Sequence, residues 1–324
     1  MPEPLLEVTD LKVSFHGRSG PSTAVDGLSY SVLPGQVLGV VGESGSGKSV
    51  SSMGLLGLIR DKGATVTGSA RFRGRELIGM PDRELRGLRG REIAMIFQDP
   101  MTSLTPVYTV GWHIAEQIRA HEQLGRKAAR ARAVDLLGEV GIPDPARRVD
   151  AYPHEFSGGM RQRAVIAMAL ACDPALLIAD EPTTALDVTT QAQILDLMLR
   201  LRDTHGSSIV MITHDMGVVS EIADRVLVMY GGRAVESGTR QEVFHTPRHP
   251  YTRGLLGSVP RIGGERLRRL PAIPGSPVAS SDRSPGCAFA PRCAARHDAC
   301  AARPPLTGDG HRSACWLTTP EVPA

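Results

Sequence analysis

The sequence predicts an α/β fold with a helical stretch in its middle and a small loop-rich C-terminal extension that carries cysteines. Three observations lead to it. First, Gly42-Glu43-Ser44-Gly45-Ser46-Gly47-Lys48-Ser49 follows the apolar run Val37-Leu38-Gly39-Val40-Val41 and opens into a helical pattern over 49–58. Second, another apolar run, Ala175-Leu176-Leu177-Ile178-Ala179, ends in Asp180-Glu181. Third, strand signals stop after Asp99, and to about Asp150 apolar residues recur at helical spacings.

Strand, G-x-x-x-x-G-K-S and helix in that order make a polyphosphate cradle. The glycines let successive backbone N–H groups turn inward, and the helix N-terminus adds its positive dipole end. Lys48 reaches the β- and γ-phosphates, and the Ser49 hydroxyl ligates Mg²⁺. The chain is therefore expected to bind ATP through Gly42, Ser44, Gly45, Ser46, Gly47, Lys48, Ser49 and Val50. In folds with such a loop, an Asp closing a second apolar strand holds Mg²⁺, and an acidic neighbour orients and deprotonates the attacking water. Asp180 and Glu181 are the candidates for those roles.

Between the two motifs lies Phe156-Ser157-Gly158-Gly159-Met160-Arg161-Gln162-Arg163, followed by the helical stretch 164–171. This segment closely resembles the signature loop of ATP-binding cassette (ABC) ATPases, and the resemblance runs from about Leu5 to Gly238. It implies an ABC-type P-loop ATPase core with an antiparallel β layer and a helical subdomain, and a role for each matching residue. Gln98, after the strand 93–97, matches the loop that touches Mg²⁺ and senses the membrane domain. Ala185-Leu186-Asp187 matches the D-loop, His214 the switch histidine on the γ-phosphate, and Phe15 the aromatic that stacks on adenine. Such cassettes dimerise head to tail, so Ser157, Gly158 and Gly159 are expected to contact ATP held by the partner's P-loop. The sequence departs from the commonest signature at Met160, where that signature has Gln, and at Phe156, where it has Leu. The phosphate contacts come from Ser157 and backbone N–H groups, so activity is expected to survive both changes.

Within the helical stretch, Ile114, Ile118, Ala133, Leu136, Leu137 and Val140 fall on helix faces. The loop 100–109 suits a short helix of a membrane partner, and Asp99-Pro100-Met101-Thr102-Ser103-Leu104-Thr105-Pro106 resembles the peptide-permease branch of the family. After His214 come a helix over 218–222, a strand over 225–229, a turn at Gly231-Gly232 and a returning strand over 234–237. His249-Pro250-Tyr251-Thr252-Arg253-Gly254-Leu255-Leu256 starts a helix after Pro250. It is also similar to a motif of ATPases serving dipeptide, oligopeptide and nickel importers.

Ten of the 24 prolines fall in 260–324, which argues against long regular elements there. That tail holds Cys287, Cys293, Cys300 and Cys315, spaced C-x5-C-x6-C-x14-C. Disulfides do not suit a reducing compartment, so four clustered thiols point to a metal. Zinc and a [4Fe–4S] cluster both take four thiolates, but the spacing lacks the close C-x₂₋₄-C pairs of zinc sites. The tail also resembles the cysteine-bearing extension of dipeptide-permease ATPases, which implies the cluster; zinc is the alternative. His297 and His311 lie nearby, though four cysteines already suffice. Cys172, on the helix after the signature, is expected to be a small buried core residue.

At 324 residues the chain holds one cassette plus an appendage, divided as 1–259, with the helical subdomain at about 99–172, and 260–324. No run approaches 18 apolar residues, and residues 1–7 lack the pattern of an export signal. A cytosolic protein at the inner face of the membrane is expected. A formal net charge of +3 gives no reason to invoke nucleic acid. The resemblance implies two membrane-spanning permease subunits, a second ATPase subunit (a paralogue more than a second copy), and an extracytoplasmic peptide-binding protein. Soluble ABC ATPases of ribosomes carry two cassettes, and those of DNA repair insert long coiled coils; neither feature is present here. The expected function is ATP hydrolysis that energises uptake of di- or oligopeptides, with nickel or another small solute as the alternative.

Overall fold

The computed structural model describes residues 3–17, 20–99, 103–184, 186–258, 272–278 and 285–318. The chain divides into two units. Met1–Val32, Val37–Gly79 and Ile212–Ala324 form the first, and Leu33–Gln36 with Met80–Met211 the second.

The first unit begins with β1 (Leu6–Gly17) and β2 (Gly20–Val32), which pair antiparallel. Leu6 and Val8 are buried, and so are Leu11 and Val13, one residue out of strict alternation. Asp10 absorbs the extra residue at φ 48°, and the register shifts between Val8 and Leu11. This bulge keeps both halves of the apolar pattern on one face. The chain then passes through β3 (Val37–Val41) and α1 (Lys48–Leu55) to β4 (Ala64–Phe72) and β5 (Arg75–Glu76). Their order in the antiparallel layer is β2-β1-β4-β5. Helix α1 stops at Leu55, three residues before the apolar pattern does, with Gly57 at φ 64° just beyond.

In the second unit α2 (Asp82–Leu88) leads to β6 (Ile93–Ile96), then to α3 (Val110–His121), α4 (Arg126–Glu139) and α5 (Pro145–Arg148). Ile114, Ile118, Ala133, Leu136, Leu137 and Val140 are all buried, as their spacing predicts. The signature helix α6 (Gly158–Ala169) starts six residues before the expected stretch, because Ser157 caps it. Strand β7 (Leu176–Asp180) pairs in parallel with β6. Asp187 caps α7 (Val188–His205), and Gly206 ends it in the left-handed conformation. Strand β8 (Ser208–Thr213) closes this stretch.

The chain re-enters the first unit through α8 (Met216–Ile222), β9 (Arg225–Tyr230), β10 (Arg233–Thr239), α9 (Arg240–His245) and α10 (Pro250–Gly257). Strand β9 runs parallel to β3 and antiparallel to β10. A short strand from the proline-rich tail, β11 (Arg312–Ser313), adds antiparallel to β10. Ala288 and Phe289 of the tail pack into one buried cluster with Val41, Tyr230, Val243 and Tyr251. The described part of the tail is thus built into the core of the first unit.

Candidate functional site

The phosphate loop leaves β3 and turns into α1 by backbone conformations that only glycine adopts without strain. Gly42 has φ 154°, and a Cβ there would sit 2.2 Å from the carbonyl oxygen of Met229. Gly47 has φ 96°, and its Cβ would meet the Ala24 carbonyl at 2.6 Å. Lys48 Nζ donates to the Gly42 carbonyl (2.6 Å) and the Glu43 carbonyl (3.0 Å), which lays the ammonium along the inside of the loop. The loop is also tied to the β9–β10 turn, where the Gly232 N–H donates to the Ser46 carbonyl at 3.0 Å. Ser44 and Gly45 are exposed, while Ser49 and Val50 are half-buried at the start of α1.

Glu43 has three further anchors or contacts that sequence reasoning did not find. Its N–H donates to the Tyr251 hydroxyl at 2.8 Å. Its carboxylate receives both ends of the Arg292 guanidinium, at 2.6 and 3.0 Å. Pro277 and Val278 line a small pocket with Glu43, Ser44, Gly45 and Ser46. Behind Tyr251 runs a buried polar chain. Tyr251 N–H donates to His249 Nδ1 (3.1 Å), and the N–H groups of Arg248 and His249 donate to the two Glu236 carboxylate oxygens (2.7 and 2.9 Å). Glu236 is also paired with His311 Nε2 at 2.7 Å. Burial pushes His249 down to about 4, so its imidazole is neutral. With Nδ1 accepting, its proton sits on Nε2. The motif around Tyr251 was visible in the sequence, but not its purpose, because the partners are far away in the chain.

The remaining expected residues of the first unit are Phe15, half-buried on β1, and His214, exposed just after β8. In the second unit the structure brings Gln98 and Glu181 together, with Gln98 Nε2 donating to Glu181 Oε2 at 3.1 Å. Thr184 Oγ1 donates to the same oxygen at 3.0 Å. Glu181 has φ 49°, a left-handed conformation that non-glycine residues hold only where their surroundings enforce it. Asp180 is buried at the end of β7. The pair therefore occupies a sharp strand-to-loop corner that turns the Glu181 carboxylate toward a fixed amide and hydroxyl.

The signature and D-loop segments abut within this unit. Ser157 Oγ accepts from Met160 N–H at 3.3 Å, and Asp187 Oδ1 accepts from Thr190 N–H at 3.0 Å. The Thr190 bonds hold the Asp187 carboxyl below the usual carboxylate range. A Cβ on Gly159 would lie 2.8 Å from Thr190 Cγ2, and one on Gly158 would lie 3.9 Å from Leu186. Only glycine at 159 lets the first turn of α6 approach the start of α7 this closely. Phe156 is buried with the Arg148 guanidinium 5.8 Å from its ring centroid, which gives the departure from Leu a packing role. Ala185 of the D-loop and residues 100–102 of the expected partner-facing loop lie outside the described residues. So do 259–271, 279–284 and 319–324 of the tail.

The cysteines depart from expectation in two ways. Cys172 is half-buried, not core, and its thiol is pushed up to about 11, chiefly by burial. Cys287, Cys293, Cys300 and Cys315 form no disulfide and line one small pocket, which His249 also borders. Among the described residues, however, no group of three or more His, Cys, Asp or Glu is arranged to hold a metal ion. Burial, reinforced by neighbouring cysteines, raises Cys287 and Cys315 above the usual thiol range. His249 Nε2 is buried and has no hydrogen-bond partner among the described residues. His311 is committed to Glu236, so it is not a spare ligand.

Comparison with known proteins agrees with this geometry. Residues 25–184 match the ABC transporter family, and residues 235–300 match the C-terminal region of oligopeptide/dipeptide transporters. The dipeptide transport ATP-binding protein DppD of Escherichia coli is 51% identical over 314 residues, covering 96% of both chains. The oligopeptide transport ATP-binding protein OppD of Mycobacterium bovis is 55% identical over 319 residues. That alignment takes in 97% of this chain but 52% of the relative, so the chain spans about half the length of the mycobacterial protein. Among solved structures, cbiO1 of Clostridium perfringens, part of the ABC transporter complex cbiONQ, superposes with a TM-score of 0.64. It has 27% identity and covers 75% of this chain and 92% of its own.

Proposed function

This chain belongs to the ABC transporter family of ATP-binding proteins, and we propose that it binds and hydrolyses ATP to energise uptake of di- or oligopeptides. The observation that carries this reading is the match to a dipeptide-transport relative along 96% of both chains, tail included. In the reaction, water attacks the γ-phosphorus, the bond to the ADP oxygen breaks, and the water's proton passes to Glu181 as general base. Gln98 and Thr184, both donating to Glu181, fix the carboxylate for that task. Lys48 and His214 are assigned to the charge that develops on the phosphates, and Phe15 to the adenine. The roles read from the sequence for Ser49, Gln98 and Asp180 on Mg²⁺ are retained as proposals, as is the division at residue 259. When bound, the ion neutralises phosphate charge. Ser157, Gly158, Gly159 and Asp187 are assigned to ATP on a partner cassette.

Among the described residues no helix is long and apolar enough to cross a membrane. The pore is therefore assigned to two permease subunits, with this chain peripheral on their cytoplasmic face beside a second, paralogous ATPase. Solute capture is assigned to an extracytoplasmic peptide-binding protein. The test is transport in vesicles reconstituted with the permease pair and both ATPases. ATP-dependent uptake of a labelled dipeptide is expected. Nickel uptake without peptide uptake would replace the substrate assignment, and absence of ATP hydrolysis would overturn the enzymatic one.

We further propose a [4Fe–4S] centre at Cys287, Cys293, Cys300 and Cys315. Support comes from the four thiols bordering one pocket and from His249 Nε2–H beside them, which has no hydrogen-bond partner among the described residues and suits a sulfur acceptor. Bound there, the centre would staple a segment poor in regular structure, since metal binding contributes folding free energy directly. Protein purified without oxygen should contain iron and sulfide; stoichiometric zinc, or no metal, would overturn the assignment.

A further inference from the structure

We propose that Arg292, in the cysteine-bearing tail, is a positioning residue of the nucleotide site, acting through Glu43 of the phosphate loop. This rests on reading 42–49 as the nucleotide loop. Glu43 is the second residue of that loop, and its carboxylate is a negative charge in a segment that must receive a triphosphate. Three groups fix it. Tyr251 accepts its N–H at 2.8 Å, Lys48 donates to its carbonyl at 3.0 Å, and Arg292 holds both carboxylate oxygens at 2.6 and 3.0 Å.

The guanidinium has no spare donor. Nε donates to the Pro274 carbonyl (2.8 Å), one terminal nitrogen to Glu43 and the Tyr230 hydroxyl (3.3 Å), and the other to Glu43 and the Ile273 carbonyl (3.3 Å). All five N–H donors thus have acceptors, and the side chain is 5% exposed. A lysine has no planar fork with which to reproduce this set. Two consequences follow. The pair neutralises Glu43, and it fixes the backbone of a loop whose amides must point inward. Because Cys293 directly follows Arg292 and Cys287 precedes it by five residues, whatever orders the cysteine segment also orders this clamp. Nucleotide affinity is therefore set partly by the tail, more than 240 residues from the loop it steadies.

The test is equilibrium binding of Mg–ATP to the full-length chain, at a temperature where each variant is folded by circular dichroism. Arg292→Met fills the space but exposes the Glu43 charge, and should weaken ATP binding by roughly tenfold. Adding Glu43→Gln to Arg292→Met removes the stranded charge and should restore affinity to within about threefold of the parent. A purely structural clamp would lower the melting temperature of Arg292→Met and leave affinity unchanged; that result, or a double variant as weak as the single, overturns the proposal. Should Arg292→Met fail to fold, Arg292→Gln with and without Glu43→Gln gives the same comparison, since it too removes the positive charge. Absence of ATP binding by the parent chain would overturn the nucleotide-loop reading instead.

Discussion

Glu43 in the phosphate loop takes its partners from 208 and 249 residues away, whereas Ser157 and Asp187, at the signature and D-loops, take theirs from three residues away. The first region is steadied by a network of buried groups: Arg292, Tyr251, His249, Glu236 and His311. The second is steadied by helix caps on exposed side chains and by the tight fit of Gly159 against Thr190. A cap forms as soon as its helix forms, but the network exists only once the tail has been laid onto the core. The two regions should therefore fail differently under mutation, acid and loss of the tail's thiols.

The sharpest way to separate chemistry from scaffolding is Glu181→Gln. It removes the base but keeps a side chain that can still meet Gln98 and Thr184. Turnover in the assembled transporter should fall by about 10²–10⁴ while ATP binding persists. Near-parental hydrolysis would remove Glu181 from the mechanism.

Acid should strike the phosphate-loop side first. His249 is held near 4 by burial, against an ordinary value of 6.5, so the folded state keeps it neutral while an unfolded chain takes up a proton. Its contribution to stability is full above pH 6.5 and is lost as pH falls toward 4, a loss of about 3 kcal/mol. In His249→Asn, whose side chain can also cap α10, that stretch of the pH–stability curve should flatten. An unchanged curve from urea unfolding would mean that another group sets the acid sensitivity.

On the signature side, Ser157→Arg should cut hydrolysis by roughly ten- to a hundredfold, the cost of one charge-assisted contact in the partner's site. Its own loop should still bind ATP. Full ATPase activity in a complex carrying the substitution would break the idea of a composite site. The smallest effect is the local one: Ser157→Ala should cost about 1 kcal/mol of stability through the lost cap of α6, and this loss should not vary between pH 6.5 and 4. If it varies as the His249 contribution does, the two regions are not independently held.

Much of this was legible in the sequence because the chemistry is local. The glycines at 42 and 47 mark positive φ, Ser157 marks a helix start, and apolar runs mark β3 and β7. Helix boundaries were less legible: α6 begins six residues before its apolar pattern because capping, not hydrophobicity, sets the start. Proline content argued against long elements in the tail, and its described residues hold only short ones, yet it hid β11, whose two residues pair only because β10 offers an edge. The cysteine spacing showed that four thiols belong together. It could not show that they border one pocket together with His249.

By itself, then, the sequence determined the loop, the acidic corner and the capped signature helix, since each depends on residues within a few positions of one another. Only the tertiary structure decided what Glu43, Tyr251 and Arg292 are for. Each is an ordinary residue until the tail is folded against the core of the first unit. Buried charges and hydroxyls acquire meaning from the partners that replace water, and those partners are chosen by packing across the chain.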